Sequence, residues 1–257
     1  ARSRHQRGSL SSFQAFVIGL GGRVGTGNIA GVALAVTLGG PGALFWMWVV
    51  ALLGMATSFA ESTLAQVFKV RSADGIFRGG PAYYMQRGLG LRGGSGLSRL
   101  GRIMGVVFAA MLVFSYGLIF PMVQSNTIAL TLQEGHGVGT TVTAIALMAI
   151  TAPILLSGMR VVARVTEWLV PLMAVAYLGV VLVVIIVSAP RVPGVLVDIV
   201  AGAFHLKAGL AGTAGGFFAT FLNGTKRGLF SNEAGQGSSP NGAATADVAH
   251  PVTQGLI

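Results

Sequence analysis

Cysteine is absent from the 257 residues, which excludes disulfides, thiolate metal sites and redox-active thiols. Histidine is scarce. His5, His136, His205 and His250 are scattered and never stand at ligand spacing, which argues against a transition-metal centre. Charge is low as well: 9% of residues are charged and seven are acidic, whereas a soluble domain carries roughly 25% charged residues. No Ser/His/acid set and no pair of carboxylates converges in the apolar segments, so enzyme chemistry has no residues to carry it. The N-terminal tail ARSRHQR lacks the apolar stretch and cleavage site of a secretory signal.

What the chain does have is apolar surface. Hydrophobic residues make up 53% of it and the mean hydropathy is +0.75, the composition of an integral membrane protein. The net charge of +10 has the sign of a nucleic-acid binder. No basic stripe is interleaved with stacking aromatics, however, so the partner expected is the lipid bilayer and not nucleic acid. The chain starts at Ala1, not Met, and ends in HPVTQGLI, where another apolar segment is beginning. Both features read as signs of an incomplete chain.

A run of about 20 apolar residues crosses the hydrocarbon core. By that measure spans are expected near 12–36, 41–68, 103–131, 140–158, 166–188 and 206–224, the first and last interrupted by glycine. The loops between them set the orientation. Arg2, Arg4 and Arg7 precede the first span; Lys69, Arg71, Arg78, Arg87, Arg92, Arg99 and Arg102 follow the second; Arg160 and Arg164 follow the fourth. The intervening loops TLGG and QEGHGVG carry no Lys or Arg, and the link after the fifth span has Arg191, with Lys207 opening the next helix. Twelve basic residues on one side against two on the other predict a cytoplasmic N-terminus. Gly-Gly-Pro at 39–41 and 79–81 marks helix starts, and Asn223-Gly224-Thr225 matches a glycosylation sequon that falls on an expected helix and is discounted.

The stretch VGTGNIAG (24–31) fits the G-x-G-x-x-A pattern of a dinucleotide turn. That reading needs a preceding strand and an acidic residue about 20 positions later. The preceding FQAFVIGLGG has no strand alternation, and the next acidic residue is Glu61, inside another apolar span. A membrane reading fits better. Irregular backbone is tolerated in the bilayer only where protein encloses it, and an unwound turn there offers carbonyls to a cation and half-helix N–H groups to a carboxylate. A glycine face for close helix packing would explain the glycines equally well taken alone. A second break weighs against that: NGTKRGLFSNEAGQGSSPNGAATAD (223–247) is too polar for lipid yet lies where the sixth span ends. Interrupted helices at the first and sixth spans, each opening a five-helix unit, are the arrangement of inverted-repeat secondary transporters.

At these residues the sequence resembles a known family. RVGTGNIAGVALAVTLGGPGALFWMWVVALLGMATSFAESTLAQVF, RGGPAYYMQRGLG and RGLFSNEAGQGSSPNGAA…HPVTQGL are similar to the alanine/glycine:cation symporters, also called sodium:alanine symporters, from about residue 10 to the end. The resemblance implies an all-α membrane protein with a LeuT-type fold of two inverted five-helix repeats, and Na⁺-coupled uptake of small neutral amino acids, chiefly alanine and glycine. Members have a further helix ahead of the first break and a second half, both absent here. On this reading residues 10–205 form the first repeat and 206–257 the discontinuous opening helix of the second. About six transmembrane helices are expected, the first and sixth discontinuous, with the missing second half of the same protein as partner. The expected location is the inner (plasma) membrane.

The resemblance also implies roles. Gly25, Thr26 and Gly27 face the substrate carboxylate, while Asn28 gives a side-chain oxygen and Arg23 its carbonyl to one Na⁺. Carbonyls of Gly21 and Val24 serve a second Na⁺. In the other break Phe230 caps the pocket, Ser231 gives its hydroxyl to the first Na⁺, and Gly235 and Gly237 line the unwound turn. Gln236 stands where the family motif usually has Met, with a modest change in pocket volume or polarity expected. Asn232 and Glu233 belong to the same motif, and Glu233 is a functional candidate because bare charge in the bilayer is costly. Glu61 is another, although it lies about two turns from Lys69, so an ion pair or interfacial solvation stands open. The Arg23 guanidinium is expected to point away from the cation, with the backbone alone facing it. Alternatives from other classes are an ion channel and an amino-acid sensor or receptor without transport.

Overall fold

The computed structural model describes residues 11–73, 75–91, 93–204 and 213–257. Arg2, Arg4, Arg7, Arg92, Lys207, His5, His205 and the start of the expected sixth span lie outside the described residues. In chain order the elements are α1 (Ser12–Arg23), α2 (Thr26–Gly39), α3 (Gly42–Val67), a short antiparallel hairpin of β1 (Val70–Arg71) and β2 (Phe77–Arg78), α4 (Pro81–Leu91) and α5 (Ser95–Phe114). A π-helical turn (Ser115–Ile119) joins α5 to α6 (Phe120–His136), followed by α7 (Thr140–Leu156) and α8 (Met159–Val187). A 3₁₀ turn (Ala189–Arg191) leads into α9 (Val192–Ala203), and α10 (Thr213–Asn232), α11 (Ser238–Ala244) and α12 (Pro251–Leu256) complete the order.

Among the described residues, Ser12–Gly39, Gly42–Val67, Ser95–His136 and Val161–Val187 are long and apolar enough to cross a membrane. With four such stretches the chain is a multi-pass membrane protein. Six spans were expected; a fifth apolar helix, Thr140–Leu156, is shorter, and the start of the sixth lies outside the described residues. Thr140–Leu156 is apolar but stops at Gly158, whose φ of +87° breaks the helix. The helix α10 carries Asn223, Thr225, Lys226 and Arg227 within its length.

Other boundaries shift too. The basic stretch after α3 reads as a loop in sequence, yet it folds into the hairpin, α4 and the start of α5. Helix α4 lies close on α5: a Cβ at Gly101 would stand 2.6 Å from the Met85 carbonyl oxygen, and one at Gly105 2.8 Å from that of Ala82. The single expected span 103–131 is part of a 42-residue helical stretch containing the π turn. The polar segment 223–247 is helical to Asn232, because Lys and Arg are good helix formers whatever their polarity.

Buried positions are mostly small. Ala15, Ala35, Ala43, Ala65, Ala129, Ala163, Ala203, Ala243 and Ala244 are buried, whereas Leu52, Leu53, Met55, Leu172, Val180 and Ile186 are exposed. This inverts the soluble pattern, because lipid is as apolar as Leu and helix contact is won by close approach of small residues.

The contacts divide the chain into two units. Unit 1 comprises residues 1–22, 57–169 and 235–257; unit 2 comprises 23–56 and 170–234. In unit 1, Ser11 opens α1 with a reciprocal capping box: its Oγ accepts from the Gln14 N–H at 3.1 Å and Gln14 Oε1 accepts from the Ser11 N–H at 3.1 Å. Gln14 Nε2 also donates to Glu167 Oε2 at 3.0 Å. Past the end of α3, Lys69 Nζ donates to Gln66 Oε1 (2.6 Å) and the Ala246 carbonyl (2.7 Å) and lies 4.0 Å from the centre of the Phe77 ring. Burial lowers the Lys69 pKa, opposed by the charge of Asp247.

In unit 2, α10 packs along α2. Thr220 Oγ1 donates to the Gly39 carbonyl at 2.6 Å, satisfying one of the orphan acceptors at the end of α2. Gly40, at φ +72°, then lets the chain reverse into α3. Trp46 centres an aromatic cluster with Phe45, Phe204, Phe217 and Phe221, ring centres 4.9–5.8 Å away, and its indole N–H donates to the Ala203 carbonyl at 3.2 Å.

Candidate functional site

The first break lies at Val24-Gly25, between α1 and α2. Gly25 is extended (φ −151°, ψ −162°) and puts no side chain over the first turn of α2. The opening amides of α2, those of Thr26 and Gly27, therefore stand at a helix start with no side-chain cap, the end where the helix dipole is positive. The side chain of Asn28, the third residue of α2, gathers two groups. Its Nδ2 donates to the Arg23 carbonyl at 2.6 Å, and its Oδ1 accepts a short hydrogen bond from the Ser231 hydroxyl.

Gly27 is buried because α10 passes close by it. A Cβ there would lie 3.0 Å from the Phe230 ring and 3.4 Å from Ser231 Cα. Phe230 is half-buried beside it. At the end of α10, Asn232 Oδ1 accepts from the Ala234 N–H at 2.9 Å, while its Nδ2 is buried with no partner among the described residues. Glu233 is buried and left-handed at φ +53°, a conformation that costs a non-glycine residue about 1 kcal/mol. Its N–H still closes onto the Leu229 carbonyl at 3.1 Å, so α10 ends here in a sharp turn.

Unit 1 holds the rest of the second break. Gly235 and Gly237 are left-handed (φ +80° and +81°) and bracket Gln236. The Gly235 N–H donates to Glu61 Oε2 at 3.1 Å, and Tyr116 Oη donates to Gln236 Oε1 at 2.8 Å. A Cβ at Gly237 would meet the Phe108 ring at 2.5 Å and Pro81 at 2.8 Å. Gly237 thus answers two constraints at once, dihedral and space. Asn241 Nδ2 donates back to the Gly237 carbonyl at 2.7 Å, closing the start of α11.

Of the residues singled out in sequence, Arg23, Gly27, Asn28, Phe230 and Ser231 meet in unit 2, with Val24, Gly25 and Thr26 forming the break itself and Asn232 and Glu233 the end of α10. Gly21 lies in the last turn of α1 and groups with unit 1, as do Gly235 and Gly237. Sequence reasoning left Glu61 between an ion pair with Lys69 and a functional role; its carboxylate takes the Gly235 amide. It missed Tyr116 altogether. A signal was present: Pro121 has no N–H to give the carbonyl four residues back, and Gly117 sits in the turn that absorbs the mismatch.

Burial, and secondly the Glu61 charge, raise the Tyr84 hydroxyl pKa from 10.0 to about 12. The folded protein then holds this proton more tightly than the unfolded chain, so stability from this group is complete below pH 10 and falls as pH rises toward 12. Absorbance titration of the protein against Tyr84→Phe is expected to show this phenol still protonated at pH 11, and a phenolate appearing near pH 10 would refute it.

Among the described residues no group of three or more His, Asp or Glu is placed to hold a metal ion. The oxygens that do converge are neutral: the Arg23 carbonyl, the Asn28 amide and the Ser231 hydroxyl. Such a set matches a hard monovalent cation better than a transition metal.

The sodium:alanine symporter family model matches residues 1–257. The amino-acid carrier protein AlsT of Bacillus subtilis is 50% identical over 248 residues, 96% of this chain and 50% of the relative. "Probable sodium/glutamine symporter GlnT" of the same organism is 46% identical over 251 residues, 98% and 50% respectively. The sodium/alanine symporter AgcS of Methanococcus maripaludis is 40% identical over 261 residues, 100% and 56%. The chain spans about half the length of the curated relatives it matches. These are transporters and carriers by name, not enzymes. By a match over its whole length, the chain belongs to the sodium:alanine symporter family.

Proposed function

We propose that this protein carries out cation-coupled amino-acid transport, with Na⁺ as the co-transported ion and small neutral amino acids, alanine and glycine first, as substrates. The observation that carries the reading is the convergence of the Arg23 carbonyl, Asn28 and Ser231 in unit 2 beside an uncapped half-helix. Three neutral oxygens are a sodium donor set, and the adjacent Thr26 and Gly27 amides are donors for a carboxylate. Relatives named for sodium with alanine or with glutamine agree with the substrate class.

On this reading Asn28, Ser231 and the Arg23 carbonyl hold one Na⁺, and the carbonyls of Gly21 and Val24 contribute to a second. Gly25, Thr26 and Gly27 receive the substrate carboxylate, and Phe230 closes over the substrate. Gly235 and Gly237 keep the backbone of the turn open, while Asn232 and Glu233 hold the end of α10 in its sharp bend. Transport proceeds by alternating access without covalent chemistry. The sodium gradient favours the loaded state by its differential affinity. A LeuT-type arrangement is proposed with it, residues 10–205 as the first repeat and 206–257 as the discontinuous opening helix of the second. The inner membrane with a cytoplasmic N-terminus completes the reading.

The test is alanine uptake by the full-length protein in proteoliposomes under an imposed sodium gradient. Saturable uptake that collapses when potassium replaces sodium is the expected result. Uptake indifferent to sodium but driven by a proton gradient would overturn the coupling. Single-channel currents without saturable uptake would indicate a channel, and alanine binding without counterflow a sensor.

A further inference from the structure

We propose that the end of the α4–α5 pair where Arg87, Arg99 and Arg102 stand is a binding surface for anionic phospholipid headgroups. The proposal concerns unit 1 alone and does not depend on the transport reading.

The surface is formed before any lipid arrives. Gly93 and Gly94, at φ +86° and +89°, turn the chain from α4 back into α5. The two helices then run antiparallel in close contact. A Cβ at Gly90 would lie 3.9 Å from Ser98 Oγ, and one at Gly101 would stand 3.0 Å from Leu89 Cβ. That register brings Arg87, in the second half of α4, level with Arg99 and Arg102 in the opening turns of α5.

Two kinds of side chain are exposed at this end. Arg87, Arg99 and Arg102 are exposed and have no hydrogen bond or ion pair among the described residues. Beside them Leu91, Leu97, Leu100 and Ile103 are exposed as well. Water disfavours the apolar set and hydrocarbon disfavours the arginines. The headgroup layer suits both at once, with the apolar side chains against acyl chains and the guanidiniums among polar groups. The stretch Ser95–His136 that continues from this end is long and apolar enough to cross the membrane, which puts these turns at its boundary.

Charge then selects the lipid. Between Glu61 and Glu134 the chain has seven Lys and Arg residues and one acidic residue, Asp74. A zwitterionic headgroup carries as much positive charge as negative, whereas an anionic one gives several arginines a net attraction that adds up over the surface. Each guanidinium also presents a planar fork of N–H donors that matches two phosphate oxygens.

The experiment adds an equimolar mixture of phosphatidylglycerol and phosphatidylcholine to the full-length protein in detergent and measures the retained lipids by native mass spectrometry. The wild-type protein is expected to favour phosphatidylglycerol roughly tenfold, and the triple variant Arg87→Gln/Arg99→Gln/Arg102→Gln less than about threefold. A second triple variant, Arg2→Gln/Arg4→Gln/Arg7→Gln, removes the same charge elsewhere and is expected to keep the wild-type ratio. Equal losses in the two triple variants overturn the proposal, because net charge alone would then explain the preference. A wild-type ratio near one overturns it too. Arg99→Gln alone, measured alongside in case the triple variant folds poorly, is expected to lower the ratio roughly twofold, and an unchanged ratio there counts against the surface. Loss of the preference in inorganic phosphate at constant ionic strength would mark a free-phosphate site and overturn the lipid assignment.

Discussion

Asn28→Ala raises the sodium concentration for half-maximal uptake by roughly ten- to a hundredfold, the equivalent of about 1.5–3 kcal/mol for losing a polar contact to a charged partner. The substitution does more than delete one oxygen. The Arg23 carbonyl loses the Nδ2 donor at 2.6 Å, and the Ser231 hydroxyl loses its acceptor. Both ends of the break are thereby freed, residue 23 on one side and α10 on the other. Asn28→Asp separates the two effects, since it keeps an oxygen toward Ser231 and drops the donor to Arg23. A sodium response retained in Asn28→Asp and lost in Asn28→Ala is the expected pattern, read as uptake against sodium concentration. An unaltered response in Asn28→Ala removes Asn28 from the sodium ligands.

Gly42→Ala should be the most damaging small substitution to the fold. A Cβ at Gly42 would overlap the Gly202 carbonyl carbon and the Ala203 nitrogen, all backbone atoms that no rotamer change can move. The first turn of α3 and the last turn of α9 are thus in backbone contact. The Ala203 carbonyl is also the acceptor of the Trp46 indole, and Phe204 belongs to the Trp46 cluster. Displacing α9 therefore disturbs the aromatic centre of unit 2, and a loss of about 2–4 kcal/mol is expected, beyond the usual cost of overpacking. A lowered thermal midpoint in detergent and a smaller folded yield measure it. Gly19→Ala is the control. Among the described residues nothing lies within 4 Å of a Cβ there, inside α1, so it is expected to be neutral or to stabilise by about 0.5–1 kcal/mol through helix propensity. Equal effects of the two substitutions would contradict the close contact.

Much of the local structure could be read from the chain because its causes are local. Ser11 and Gln14 form the S-x-x-Q capping signal that opens α1, and Gly25 breaks the first span within one residue of where the glycine pattern places the break. The two Gly-Gly-Pro motifs do start helices, and at 39–41 the same motif also ends one, with Gly40 in the left-handed conformation. Other features had signals that composition hides. Residues 223–232 are polar but helix-forming, so the second break begins ten residues later than polarity alone places it. The π turn is announced only by Gly117 and Pro121 in an otherwise unbroken apolar run.

Of the candidate site, residue identities were legible and the resemblance grouped Asn28, the Arg23 carbonyl and Ser231, but the partners of Glu61 and Gln236 were not legible. Asn28 and Ser231 lie 203 positions apart, Glu61 and Gly235 174, and Tyr116 and Gln236 120. Glu61 in particular has Lys69 as its near neighbour in sequence, but Lys69 is taken up by Gln66 and the Ala246 carbonyl. Proximity along a helix did not decide the partner.

The sequence by itself determined the solvent, the four long apolar stretches and the family, because hydropathy, glycine placement and motif are properties of neighbouring residues and lipid penalises every unsatisfied polar group in the same way. Tertiary structure alone decided which amide Glu61 takes, which phenol meets Gln236, and which glycine is a contact surface and which an idle one. Gly42 and Gly19 are the same residue in apolar helices, and only the passage of α9 across the first makes it indispensable. A polar group in a membrane must find a partner, but which one it finds depends on helices brought together from far along the chain, and no local pattern records that choice.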